Sequence, residues 1–325
     1  MSLARCIISS VATAFALTLL SVAAQCQTYP QKPITFIIPF GAGGGTDVIA
    51  RTLQENIHKE LGQPIVIDNR PGANGAIGSA SAARAAPDGY TLLLTASSTF
   101  SLNPNLMKDL QYDQLRDFVP VAFVVRAPWM MVVHDKSRFK SVADVVKVAK
   151  DDPGKLTVGF WQSNVLITSE VFQRAAGIQL LKVPYKSVVE AISDLLAQRI
   201  DILFVDIQAI RAYIDAGTLR YLAATTANRI SVAPGVPTLA ESGYPDVVTD
   251  ASVILFAPSK TPKPIIERLN SAMIKVVSNS TAAREQLKSI GHEPTTMTLP
   301  ELDNFVRSEL SRWHDMIKNV GLSKE

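Results

Sequence analysis

Cysteine is nearly absent: Cys6 and Cys26 are the only two in 325 residues, and both precede residue 27. No C-x-x-C pair, H-E-x-x-H helix or G-x-S-x-G elbow occurs, so the spacings that hold a catalytic zinc or raise a serine nucleophile are missing. An excess of one charge is missing too. Lys and Arg number 32 against 29 Asp and Glu, a net charge of +3, with no long basic run, which removes the electrostatic footprint expected of a nucleic-acid binder. Beyond the N-terminus no hydrophobic run approaches spanning length, so the rest of the chain reads as soluble.

What is there begins with a separate N-terminal segment. In residues 1–26 the only charge is Arg5, and Cys6 to Ala24 is apolar or small, the pattern of a cleavable secretory signal peptide. Small residues place the cut after Ala24 or after Cys26, and the sequence does not choose. The competing readings are a retained membrane anchor and a lipid anchor on Cys26; Ser and Thr interrupt the run, and Gln25 stands where a lipoprotein site carries a small residue. Either cut leaves at most one cysteine, so stability must come from packing rather than from disulfides, as in a bacterial periplasmic domain. A hydrophobic content of 47% suffices for two cores.

From Pro33 apolar strands alternate with amphipathic helices. ITFIIPF, PIVIDN and YTLLLTA read as strands separated by a helix from Asp47 to Leu61, capped by Thr46 or Asp47 and ended by Gly62, and by the small-residue helix GAIGSASAARA. The run VAFVVRAPWMMVVH is too long for one strand and is broken by Pro128, so it reads as a crossing into a second β/α unit. That unit contains helices at SVADVVKVAKDD, SEVFQRAAG, VVEAISDLLAQ and IRAYIDAG, and strands at KLTVGF, LLKVPY and DILFVD. TDASVILFAP reads as the return crossing, before three C-terminal helices. The implied fold class is α/β, with two mixed, mostly parallel sheets flanked by helices, and the implied division is 27–125 and 251–325 for one domain and 126–250 for the other.

FIIPFGAGGGTD joins the first strand to the first helix with glycines at 41, 43, 44 and 45, a junction that lets a ligand approach the backbone at the positive end of a helix. A dinucleotide is one occupant, since Gly41 and Gly43 open a G-x-G and Asp68 ends the second strand, but Thr46 takes the third fingerprint position. No Gly-Lys-Ser/Thr follows, which excludes a Walker loop. A purely geometric turn is a further reading. The last is a carboxylate held by uncharged donors, with Ser97, Ser98 and Thr99 supplying hydroxyls from the end of the third strand, or else capping the next helix.

YPQKPITFIIPFGAGGGTDVIAR, DNRPGANGAIGSASAARAAPDGYTLLL, LNPNL, KVPYKS, LRYLAATTANR, PGVPTLAESGYP and FAPSKTP together carry a family likeness. Nearly the whole chain after residue 26 resembles the substrate-binding proteins of the tripartite tricarboxylate transporter family, the Bug proteins. The resemblance implies a two-lobed periplasmic clamp of the type II, Venus flytrap kind. It places one ligand carboxylate between Phe40, Ala42, Gly43, Gly44, Thr46 and Asp47 on one loop and Ala96, Ser97, Ser98 and Thr99 on another. It also brings in Trp161, Gln162, Ser163 and Asn164 ahead of the helix at Ser169, with Tyr185 and Asp206 at neighbouring strand ends; Asp206 reads equally as a helix cap. Phe160, Trp161 and Gln162 replace the small residues usual in the family, Leu166 and Phe100 stand where His is common, Ser98 stands where Gly is common, and Ser252 and Val253 stand where an aromatic is usual. This shift of bulk points to a carboxylate with an aromatic or apolar body rather than malate or glutamate.

The histidines, His58, His134, His292 and His314, fall on helices or a strand end, outside both cleft loops. With no nucleophile, metal cluster or paired carboxylates, the expectation is a binder, not an enzyme, without cofactor or metal. It closes on hinges near 123–128 and 249–254 and, as a monomer, engages transporter subunits or a sensor kinase. A solute-capturing transport protein, a sensory adaptor and a dinucleotide-dependent enzyme are the readings carried forward.

Overall fold

The computed structural model describes residues 29–319, together with Gly321 and Lys324; the signal-peptide segment and both cysteines lie outside the described residues. The chain opens with β1 (Ile34–Ile38), α1 (Gly45–Leu61), β2 (Ile65–Asn69), α2 (Ala76–Ala83), β3 (Thr91–Ala96) and β4 (Phe118–Ala127). α1 forms because Ile49, Leu53, Ile57 and Leu61 recur every four residues and bury one stripe against the sheet. Burying each such side chain contributes ~1.5–3 kcal/mol. The helix stops at Gly62, whose left-handed φ of 74° lets its N–H reach the His58 carbonyl at 2.8 Å.

Two residues after β4 ends, β5 (Trp129–His134) starts a second sheet. It is followed by α3 (Val142–Asp151), β6 (Thr157–Phe160), α4 (Ser163–Ala176), β7 (Leu181–Pro184), α5 (Val188–Leu196), β8 (Ile202–Asp206), α6 (Ile207–Asp215) and β9 (Leu219–Ala224). The chain returns through β10 (Ala251–Pro258) and ends with α7 (Lys263–Ile274), α8 (Thr281–Ser289), β11 (Glu293–Pro294) and α9 (Leu299–Asn319).

The first sheet has the order β11-β4-β10-β3-β1-β2, and the second β7-β6-β8-β5-β9. β1 runs parallel to β2 and β3, while β10 is antiparallel to both β3 and β4. In the second sheet β7, β6 and β8 are parallel and only β5 is reversed. The fold is thus two-lobed α/β with mixed sheets. Pro128 sits between strands, where its missing N–H costs no ladder bond. At the crossing Arg126 Nη1 lies 2.8 Å from Asp250 Oδ2, tying the outgoing and returning segments.

Each lobe has its own core, and a smaller cluster of Leu102, Ile167, Trp313 and Ile317 joins them where α9 packs beside α4. Several elements differ from the sequence reading: the two-residue strand β11 was not expected, and α6 begins at Ile207, three residues early. α4 begins at Ser163, six residues before the expected start, and LRYLAA forms the edge strand β9. The described helices include none long and apolar enough to cross a membrane.

Candidate functional site

Residues of both lobes line a cavity of about 270 Å³. Its first wall is the start of α1. Gly44, in an extended conformation, is the N-cap, and no side chain caps the helix. The first amides of the helix are left without an intrahelical acceptor. Thr46 and Asp47 are therefore not the N-cap expected of them; both lie inside the first turn, and the Asp47 carboxylate reaches back past Gly44 to the Gly43 N–H. Gly44, Gly45, Thr46 and Ile49 line the cavity, with Phe40 beside them.

Asp47 is 1% exposed and works beneath the loop. Its carboxylate accepts bonds from the Gly43 N–H at 2.8 Å, Arg51 Nε at 2.9 Å and Asn69 Nδ2 at 3.0 Å. Burial opposes its charge, but the bonds from Arg51, Gly43 and Asn69 outweigh burial and hold the carboxyl below the usual carboxylate range. Asn69 also donates to the Phe40 carbonyl at 3.1 Å, so Asp47 and Asn69 together set the path of the glycine loop. Ala42 is exposed on that loop, and Gly43 lines an outer recess of about 590 Å³ shared with Val189 and Tyr213.

From the second loop Ala96 and Ser98 reach the cavity. Ser97 and Thr99 are buried behind it: the Ser97 hydroxyl accepts from the Ser252 N–H at 3.4 Å, while the Thr99 hydroxyl pairs with Thr95 and donates to the Ala96 carbonyl at 3.0 Å. Phe100 belongs to the core, 5.5 Å from the Phe256 ring.

The second lobe contributes Trp161, Gln162, Asn164, Val188, Asp206 and Gln208. Gln162 is the N-cap of α4, again extended and again without a side-chain cap. Ser163 does not line the cavity, and the Tyr185 hydroxyl is turned away, donating to Asp194 Oδ2 at 2.9 Å. Asp206 caps α6 by accepting the Ala209 N–H at 2.9 Å; burial nevertheless pushes its carboxyl above the ordinary range. α5 is capped by Ser187. Two capped and two uncapped helix starts thus share one cavity, and the uncapped pair, α1 and α4, come from opposite lobes.

The floor is made at the crossing by Ala127, Trp129, Ala251, Val253 and His292. Here the structure corrects the sequence reading: His292 lies in the turn before β11 and lines the cavity, 5% exposed, with neither ring nitrogen hydrogen-bonded. Burial lowers its pKa to about 4, so the imidazole is neutral near pH 7. Trp129, read only as part of a strand, is buried at the floor with its indole N–H unpartnered. Both were hidden because the feature that matters, the backbone pairing of β4 with β11 and of β5 with β8, is long-range.

The only ionisable side chains lining the cavity among the described residues are Asp206 and His292; no Lys or Arg does. Positive potential comes instead from the uncapped ends of α1 and α4, which suits one small anion. Phe40, Ile49, Trp129, Trp161, Val188 and Val253 supply the apolar part of the wall, and Thr46, Ser98, Gln162, Asn164 and Gln208 add uncharged polar groups. Asp68, which a dinucleotide would need at its ribose, is paired with Arg70 at 2.7 Å and does not line the cavity. No group of three or more His, Cys, Asp or Glu among the described residues is placed to hold a metal.

Comparison with known proteins agrees with this geometry. Residues 49–322 match the family model described as "Tripartite tricarboxylate transporter family receptor". The protein BugT of Bordetella pertussis is 34% identical over 300 residues, covering 91% of this chain and 92% of its own. Among solved structures, Rpa4515 of R. palustris with adipate has a TM-score of 0.82 at 30% identity, covering 91% of this chain and all of its own. MatC of Rhodopseudomonas palustris with bound malate has a TM-score of 0.75 at 28% identity, covering 89% of this chain and all of its own.

Proposed function

Given that this chain belongs to the tripartite tricarboxylate transporter receptor family, we propose that it is a periplasmic solute-binding protein that captures a small organic acid in the cleft between its lobes and releases it unaltered to a membrane transporter. The observation that carries this reading is the pair of uncapped helix starts, α1 and α4, facing one cavity from opposite lobes. The carboxylate takes the amides at the start of α1 and the Ser98 hydroxyl, and closure adds the start of α4, so the anion itself is the bond between lobes. The crossing at residues 127–129 and the return at 250–251 serve as the hinge.

The body of the acid is aromatic or otherwise apolar. Trp129 and Trp161 offer flat walls, and Phe40, Ile49 and Val253 extend an apolar surface that the body of a compact polar acid such as malate would leave largely unused. Asp206, the one acidic side chain in the cavity, further disfavours a second negative charge near α6.

Thermal-shift measurements across benzoates, linear aliphatic acids, adipate, malate and glutamate test the assignment, with small-angle scattering on the best ligand. Stabilisation by aromatic or long aliphatic acids together with compaction is expected. Stabilisation by malate and glutamate alone refutes the apolar body, and chemical turnover of any bound acid refutes the binding role.

A further inference from the structure

His292 and Trp129 both line the cavity floor, and backbone pairing of the neighbouring residues holds each there. His292 directly precedes β11, whose Glu293 is paired with Arg126 of β4. Trp129 begins β5 three residues after Arg126, opposite Asp206 of β8. Their exposures are 5% and 6%, and three ring nitrogens, Nδ1 and Nε2 of His292 and Nε1 of Trp129, have no hydrogen-bond partner. Buried polar atoms in native folds are almost always satisfied, so three orphans on two residues lining one cavity call for an explanation. Packing alone does not supply it, because Phe or Leu would fill the same space without orphaned atoms.

We propose that His292 and Trp129 form a second recognition subsite that takes a hydroxyl group on the body of the bound acid, an inference that rests on the carboxylate reading above. The indole N–H only donates, and a neutral imidazole has one nitrogen that donates and one that only accepts. A hydroxyl suits two of the three, one of each kind: its oxygen accepts from the indole while its proton goes to the bare imidazole nitrogen. A second carboxylate has no proton for that nitrogen and would bring a further negative charge into a cavity that already contains Asp206. A methyl group would leave all three nitrogens as they are. Burial keeps the imidazole in the neutral form this recognition needs.

Isothermal titration of the full-length protein with matched pairs tests the subsite: benzoate against the three monohydroxybenzoates, and hexanoate against ω-hydroxyhexanoate. For at least one pair the hydroxy acid binds about tenfold tighter than its parent, and Trp129→Phe, which deletes only the N–H, and His292→Leu each bring that ratio down to about twofold or less. A wild-type ratio near one in every pair overturns the subsite while leaving the carboxylate reading intact. So does a raised ratio that neither substitution lowers. If none of these acids, parent or hydroxylated, binds the wild type, the carboxylate reading itself fails and the subsite falls with it.

Discussion

Lowering the pH from 7 to 4 asks the fold to protonate His292, and the structure sets what that costs. Burial holds its pKa at about 4 against an ordinary value of 6.5. A base whose pKa is depressed in the folded state binds fewer protons there than in the unfolded chain. Its contribution to stability is therefore complete above about 6.5 and lost as the pH falls towards 4. At ~1.36 kcal/mol per pKa unit, the displacement is worth about 3 kcal/mol. For folding units of 150–250 residues each kcal/mol moves Tm by roughly 2–4 °C, so this group accounts for about 6–12 °C of the acid-induced fall. The assay is a thermal melt at closely spaced pH values for the wild type and for His292→Gln, which has a similar polar reach but no titrating ring. The carboxylates titrate in both proteins and cancel in the difference, Asp206 being the one other ionisable side chain in the same cavity among the described residues. The wild-type curve should fall away from the variant's below pH 6.5 by that margin. Parallel curves between pH 7 and 4 would refute the reasoning, since they would mean that the imidazole is already solvated.

Asp47→Ala removes three bonds from beneath the glycine loop and should cost about 2–4 kcal/mol, read by denaturant melts, with at least tenfold weaker ligand binding by titration. Gly78→Ala would put a Cβ 2.6 Å from the Arg70 carbonyl oxygen and 2.8 Å from Pro39 Cα, both backbone atoms, so a loss of ~2 kcal/mol or more is expected in the same melts. Gly291→Ala would place a Cβ 2.6 Å from Ile207 Cβ of the opposite lobe at a φ of +84°; scattering should show a less compact liganded state and titration about tenfold weaker binding.

The alternation of strands and helices, the crossing at Pro128 and the glycine-rich helix start were legible because each is written in local periodicity or in residues with restricted backbone geometry. Phe40, Gly44, Thr46, Ala96, Ser98, Trp161, Gln162, Asn164 and Asp206 all line the cavity; the glycine loop and Ser98 were reached from a helix start and a strand end, and Ala96 and the second-lobe residues through the family resemblance. What escaped is of another kind. β9 escaped because LRYLAA alternates too weakly for an edge strand, with Arg220 and Tyr221 only half-buried. The six residues by which α4 was cut short, SNVLIT, carry β-branched and polar side chains of low helix propensity, and tertiary packing of Val165 and Ile167 overrides it. Which of Ser97, Ser98 and Thr99 faces the cleft depends on a π-turn at Ser98–Leu102 that no pattern of side chains announces. His292 needed the pairing of a two-residue strand more than 160 positions from its partner.

At the starts of α1 and α4 the positive ends are made of peptide groups, and peptide groups are what every residue except proline supplies alike. Replacing a wall residue such as Trp161, Val188 or Val253 redraws the chamber without discharging either pole. On the proposed reading, a lineage built on this frame can pass from one acid to another through ordinary point changes, because the groups assigned to the anionic end are not side chains.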